Sequence, residues 1–249
     1  MDERLYRDFD RLEDRHWWFE GRRRILSQII ARWRDPSPTA QVLDIGCGTG
    51  GMIPMLREFG IAEGMDGSPA AIGFARERLG PEVPLHLGRL PDGIPSGRKW
   101  DLIGAFDVLE HVEEPVGALK AIRGALSAQG TFVCTVPAFP FLWSEHDELN
   151  HHFRRYGTDL LRQQLVAAGF AVQFISYFNA LLFPPIVAVR LVKRLFPSRR
   201  LRSDAAEVPA LLNKVLTRLF SFERYALPRI SLPLGLSLVA VGRHRADGD

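Results

Sequence analysis

Three short stretches carry residue types whose spacing could do chemistry. The first, Val42-Leu-Asp-Ile-Gly-Cys-Gly-Thr-Gly50, runs from an apolar strand into a glycine turn, with a helix to follow. Gly46, Gly48 and Gly50 permit a sharp bend and let the backbone approach a ligand with no Cβ in the way. Such a turn presents backbone N–H groups at a helix N-terminus, a place for an anionic group. Asp44 stands just before it and Cys47 within it. The second stretch, Ile61–Asp66, reads as a strand ending in a carboxylate that can accept hydrogen bonds from ribose hydroxyls, with Gly67 and Ser68 beside it. The third, His146-Asp-Glu-Leu-Asn-His-His-Phe-Arg-Arg-Tyr156, clusters histidines and acids. It supports three readings: a general base with its orienting carboxylate, a metal site, or a solvated polar loop. No standard ligand spacing such as H-E-x-x-H occurs, so no metal is expected. His146 and His151 are the candidate bases, by residue type and loop position.

The glycines alone leave the cofactor open. Gly46, Gly48 and Gly51 also satisfy the G-x-G-x-x-G fingerprint of nicotinamide enzymes. Two features discriminate. Asp44 sits inside the strand end, where a dinucleotide fold keeps an apolar residue. Further on comes Asp101-Leu-Ile-Gly-Ala-Phe-Asp-Val-Leu-Glu-His-Val112. With Gly64-Met-Asp-Gly-Ser-Pro69 between them, the stretch from Gln41 to Phe174 resembles the class I S-adenosylmethionine (SAM) dependent methyltransferases. The resemblance implies that the glycine turn wraps the methionine end of SAM and that Asp44 serves its ammonium group through backbone or water contacts. It implies Phe106, Asp107 and His111 near the cofactor. After the third strand the family commonly has Gly-Asp, the Asp holding the adenine amino group. Here Gly88-Arg89-Leu90 stands instead, and Arg89 cannot accept a hydrogen bond. The adenine contact then falls to backbone groups, to Asp92, or to stacking by Arg89. Arg22 or Arg23 could reach the SAM carboxylate.

The elements that must position these residues alternate. Strands are expected at Val42–Ile45, Ile61–Asp66, Leu85–Leu87, Leu102–Phe106, Thr131–Val136, Phe170–Tyr177 and Leu236–Arg243. Helices are expected over Met52–Phe59, from Ser68 as N-cap with Pro69 in the first turn, over Pro115–Leu126, and over Thr158–Ala168 with Thr158 as cap. Glu110 and His111 are expected to start a helix. Repeated strand–helix units mean a doubly wound α/β fold: a mainly parallel, seven-stranded Rossmann-like methyltransferase sheet, with N-terminal helices and a helical insertion before the last, antiparallel strand. The expected organisation is residues 1–40 as an N-terminal helical segment, 41–178 as the SAM-binding core, 179–233 as the insertion and 234–249 as the final strand and tail. Trp17, Trp18 and Phe19 are either core anchors or a lid.

The 249 residues are 46% hydrophobic, enough for a sizeable core. Two cysteines cannot make a disulfide framework, which favours a reducing compartment, and the charged start lacks an apolar signal-peptide core. A cytoplasmic protein, with peripheral membrane contact as an extension, is expected. Net charge is +3 but uneven: residues 179–233 hold ten Lys/Arg against three acids, and the remainder is at −4. An apolar run there, Asn179 to Phe196, leads into Arg199, Arg200 and Arg202. This pattern suits an interfacial segment on an anionic membrane as well as a soluble cap. A nucleic-acid face is the weaker reading, because the cations lie among Leu, Val and Phe. The expected activity is in-line methyl transfer to O, N or C of a small-molecule or lipid-linked acceptor. The rivals are a non-catalytic SAM-binding, membrane-associated protein and a nicotinamide-dependent oxidoreductase.

Overall fold

The computed structural model describes residues 3–195 and 208–245, without the side chains of residues 3–5, 146 and 190–195. In chain order the elements are α1 (Glu3–Leu12), α2 (Trp17–Trp33), β1 (Gln41–Ile45), α3 (Ile53–Leu56), β2 (Ile61–Asp66), α4 (Pro69–Leu79), β3 (Leu85–Leu87), β4 (Trp100–Phe106), α5 (Pro115–Ala125), β5 (Leu126–Pro137), α6 (Glu145–Leu149), α7 (Thr158–Ala167), β6 (Phe170–Phe178), α8 (Phe183–Leu195), α9 (Ala210–Phe222) and β7 (Ser237–His244). One seven-stranded sheet has the order β3-β2-β1-β4-β5-β7-β6. The pairs among β1 to β5 are parallel, whereas β7 runs antiparallel to both β5 and β6. The all-parallel order of the dinucleotide fold, 3-2-1-4-5-6, has no such inserted strand.

Alternation along the strands makes two cores. Val42, Leu102, Val133 and Val239 bury toward Ile25, Leu26, Ile29 and Ile30 of α2, Leu56 of α3 and Phe220 of α9. Their neighbours Leu43, Ile103, Phe132 and Leu238 bury on the opposite face against Leu119 and Ile122 of α5 and Leu161 and Leu165 of α7. Both sheet faces are therefore dry, which is why these strands read as continuous apolar runs and not as apolar–polar alternation.

Local expectations hold where the signal is local. Ser68 caps α4, its Oγ accepting from the Ala71 amide at 3.4 Å. Two details differ. Thr158 is the first helical residue of α7; Gly157 takes the cap position, and no side chain caps there. Glu110 and His111 lie in an isolated 3-10 turn, Leu109–His111. The helix itself waits for Pro115, whose fixed φ and missing N–H suit the first turn.

The insertion returns to the front of the chain. The Trp17 amide donates to Asn213 Oδ1 at 2.8 Å, and Trp18 stacks on Phe220, with ring centroids 5.3 Å apart. A Cβ on Gly21 would stand 2.4 Å from the Phe220 ring, so a glycine is needed for α2 and α9 to touch. The hinge between β6 and the insertion is tied by Glu223. Its buried carboxylate accepts from the Asn179 amide at 2.7 Å and the Leu181 amide at 3.0 Å. No helix among the described residues is long and apolar enough to cross a membrane.

Glu223→Ala leaves the buried Asn179 amide and the part-buried Leu181 amide without their acceptor. It should cost about 1–3 kcal/mol of stability, read as a lowered urea midpoint. An unchanged midpoint would show that this anchor contributes nothing.

Candidate functional site

The C-terminal ends of β1, β2 and β4 open into one cleft of about 1250 Å³. Its floor is the glycine turn. Gly46 and Cys47 donate to the Met65 carbonyl at 2.7 and 3.0 Å, which hooks the turn over β2. Gly46 has φ +69°, and a Cβ there would strike Val108. Gly48 has φ +56° and nothing within 4 Å of where its Cβ would be, so its backbone faces open space. The Asp66 carboxylate fixes the bend, taking the Gly48 amide at 2.9 Å and the Ser68 amide at 2.8 Å. Burial pushes this carboxyl up, against the pull of those two N–H groups. A carboxylate has about four acceptor sites, so two backbone bonds leave room for a ligand's hydroxyls.

The expected cofactor residues Asp44, Gly46, Cys47, Gly48, Asp66, Gly67, Ser68, Arg89, Leu90, Phe106, Asp107 and His111 all line this cleft. Gly50 lies behind it, with φ +86° and the Leu79 side chain against the site of its Cβ. The Cys47 thiol is buried and pushed well up by that burial, so it contributes shape and not nucleophilicity. Arg89 folds back on Gly67, its Nε 3.3 Å from the Gly67 carbonyl, and exposed Asp92 does not line the cleft.

At the centre, Arg22 of α2 is buried and paired with Asp107 through Nη1 and Oδ2. Asp107 is held at φ +58° by β5: Thr135 Oγ1 donates to its Oδ1 at 2.9 Å, and its amide reaches the Thr135 carbonyl at 3.0 Å. Arg23 turns away to the Glu13 carbonyl. Asp44 is 1% exposed, and its Oδ2 has no hydrogen-bond partner in the protein. Burial drives its carboxyl well up, with Arg22 opposing.

The sequence marks Trp17 and Trp18 as anchors or a lid, but not the rest of the roof or part of the far wall. Tyr6 of α1 hydrogen-bonds Ser68, and Glu13 just after that helix accepts from Thr49, so this end of the chain lies across the glycine turn. No motif marked these residues. Trp17 and Trp18 both anchor α9 and line the cleft. Asn179, with φ +60°, is fully buried, and both ends of its side-chain amide are unpartnered. Strained non-glycine residues cluster at functional sites, and Asp107, His151 and Asn179 all line this cleft.

The histidine loop forms the far wall. Asp147, fully buried, accepts from Arg155 Nε at 2.7 Å and Nη2 at 2.9 Å, from the Ser144 amide at 2.8 Å, and pairs with His152 Nδ1 at 2.9 Å. Burial alone would raise its carboxyl; the bonds from His152 and Arg155 outweigh that and hold it well below the usual range. His151 is exposed at the mouth. His146 falls in α6, and its side chain lies outside the described ones. His111 is lowered to about 4 by burial and by nearby His152, and is therefore neutral at pH 7.

A nucleoside cofactor with a positive centre fits this arrangement. The bend leaves Gly48 open, Asp66 can serve a ribose, and the unpartnered Asp44 oxygen stands in a buried site with capacity for an ammonium group or a bridging water.

Comparison with known proteins agrees. Residues 18–175 match the model of a methyltransferase domain. The ubiquinone biosynthesis O-methyltransferase of Cereibacter sphaeroides is 34% identical over 122 residues, 45% of this chain and 49% of that protein. The magnesium-protoporphyrin O-methyltransferase of Rhodobacter capsulatus is 29% identical over 129 residues, 49% and 57% of the two. The chain spans about half the length of the curated relatives it matches. A TehB-like SAM-dependent methyltransferase from Corynebacterium glutamicum superposes with a TM-score of 0.54 at 18% identity, covering 90% of this chain and 88% of that one, a likeness of fold. The match covers more than half of the sequence and excludes the nicotinamide alternative together with the strand order; the chain belongs to the methyltransferase-domain family of class I, SAM-dependent enzymes.

Proposed function

We propose that this protein transfers the methyl group of SAM to a hydroxyl oxygen of an apolar small molecule, free or lipid-linked. The observation that carries the reading is continuity: one cleft joins the glycine turn and Asp66 to a histidine-rich wall under an apolar roof of Trp17, Trp18, Ile186 and Leu216. The O-methyltransferase names of the curated relatives favour oxygen over nitrogen or carbon. When bound, SAM supplies a methyl already activated by its positive sulfur. The chain's residues therefore align the partners and keep water out. Asp66 would hold the ribose, Arg22 the amino-acid carboxylate, and Asp44 the ammonium end. The Asn179 amide, buried and unpartnered, would take a polar group of the acceptor. A protonated hydroxyl needs a base at working pH, and His146 and His151 on the far-wall loop are assigned that role.

The lipid-linked form of the acceptor rests on the outside of α9. Leu211, Val215, Leu219 and Phe222 are all exposed, Leu211 at 77% and Phe222 at 65%, and their spacing puts them on one stripe. Lys214 and Arg218 flank it. On this reading the insertion both roofs the cleft and lies on an anionic membrane surface. Of the other basic residues expected to contribute, Arg199, Arg200 and Arg202 lie outside the described residues, as do the side chains of Arg190, Lys193 and Arg194.

Asp66→Ala should weaken SAM binding by about 1.5–3 kcal/mol, the worth of charge-assisted hydrogen bonds, measured by calorimetry with a melting curve to confirm the fold. Unchanged affinity in a folded variant removes the ribose assignment. By contrast, His146→Ala and His151→Ala should leave SAM affinity alone and cut methylation of an alkyl-tailed phenol by roughly 10²–10⁴-fold for the true base. Full activity in both means neither is the base.

Each basic residue near an anionic surface contributes about 1 kcal/mol, so a few give reversible attachment that salt should weaken. Sedimentation with phosphatidylserine vesicles at low salt should pull the protein down. Retention in the supernatant would leave the insertion as a soluble cap.

A further inference from the structure

The far wall brings together three groups that no sequence spacing connects. Glu110 and His111, in the 3-10 turn after β4, meet His152 from the loop before α7. One ligand atom from each lies within 4.8 Å of the others. The His111 and His152 rings meet edge to face, 4.6 Å between centroids. Glu110 is 1% exposed, and neither of its carboxylate oxygens has a hydrogen-bond partner in the protein. A buried carboxyl with both oxygens unserved is costly and rare in folded proteins. All three residues line the cleft.

We infer that Glu110, His111 and His152 bind a divalent transition-metal cation whose remaining coordination positions open into the cleft. This rests on the methyltransferase reading only for the role of the cation and not for its binding. Two imidazoles and one carboxylate on one side of an ion are the donor set suited to Zn²⁺, Co²⁺, Fe²⁺ or Mn²⁺, whereas Mg²⁺ and Ca²⁺ favour all-oxygen sites. Metal–ligand bonds of about 2.0–2.2 Å would draw the three donor atoms to roughly 3.0–3.5 Å apart, a contraction that small side-chain rotations supply.

The surroundings are those of a ligand site. Metal-bound histidines usually engage their other ring nitrogen with a carboxylate or a carbonyl, which fixes tautomer and orientation. His152 Nδ1 is 2.9 Å from Asp147 Oδ1, so Nε2 is the nitrogen that would take the cation. Asp147 is itself clamped by Arg155 and Ser144. His111 hydrogen-bonds the Asn150 backbone. The loop is tied to the turn from the other side as well: the Phe153 amide donates to the Glu110 carbonyl at 2.8 Å, and Tyr156 Oη donates to the Leu109 carbonyl at 3.2 Å. His151, at φ +55°, turns the chain so that His152 faces inward while its own ring stays at the mouth. A hydroxyl of the acceptor entering an open position on the cation would lose its proton at lower pH than in water, the proton leaving to His151 or to solvent. No standard ligand spacing links these residues, which come from two loops 41 positions apart.

The test uses the full chain stripped with EDTA and dialysed. Titration with Co²⁺ should give one site per chain and visible d–d absorption bands of nitrogen–oxygen coordination. Glu110→Gln and His152→Ala should each weaken Co²⁺ binding at least tenfold, and Asp147→Asn, a positioning change, should weaken it less. SAM calorimetry on the same samples separates the two readings. Intact SAM binding with no Co²⁺ site in the wild type, or a Co²⁺ site unaffected by both ligand substitutions, overturns the cation site and leaves the methyltransferase reading standing. A Co²⁺ site lost in both variants establishes the cation site even if no SAM binds. Because the wild-type titration stands alone, a variant that fails to fold does not shield the inference.

Discussion

The cleft is organised around buried carboxyl groups that the protein does not itself neutralise. Asp44 and Glu110 are each 1% exposed, and between them three carboxylate oxygens lack a protein partner. Burial pushes both carboxyls well up, and Arg22 is the cation whose field opposes that for both. Yet Arg22 commits its guanidinium hydrogen bond to Asp107. Removing charges from water costs several kcal/mol each unless partners repay it. A site with this imbalance favours positive ligands, and both carboxyls line the one cleft. Asp44 stands where a cationic cofactor would bind, and Glu110 stands where a metal ion would.

The fold supplies this arrangement by bringing distant parts of the chain over the strand ends. The β1 turn and Asp66 are set by the parallel sheet. The roof comes from α1 and α2 at one end of the chain and from α8 and α9 near the other. Glu223 and Asn213 join those ends, the first tying the insertion to the exit of β6 and the second tying α9 to the start of α2. Left-handed residues at Asp107, His151 and Asn179 aim the lining inward. The strain at Asp107 is held by Thr135 and Arg22, so contacts from β5 and from α2 set a conformation at the end of β4.

What the sequence made legible was local. Gly46 and Gly48 could be read because only glycine tolerates those bends, and Asp66 because a strand-end carboxylate next to Gly-Ser-Pro has one plausible geometry. The strands were legible because both sheet faces are dry. Thr158 reads as a cap by residue type, but Gly157 takes that position. Glu110 and His111 read as helical by composition, whereas Pro115 sets where the helix starts. Tyr6, Glu13 and Asn179 carry no readable signal, and His152 reads only as one member of a histidine cluster. Their importance comes from tertiary packing that no local pattern encodes: Tyr6 reaches Ser68, 62 positions on, and Glu13 reaches Thr49, 36 positions on.

The most direct test of the central claim is calorimetric titration of the wild-type chain with SAM and, separately, with NADH. The account expects one SAM bound per chain and no measurable heat with NADH. Tight NADH binding, or no SAM binding by folded protein, would contradict it.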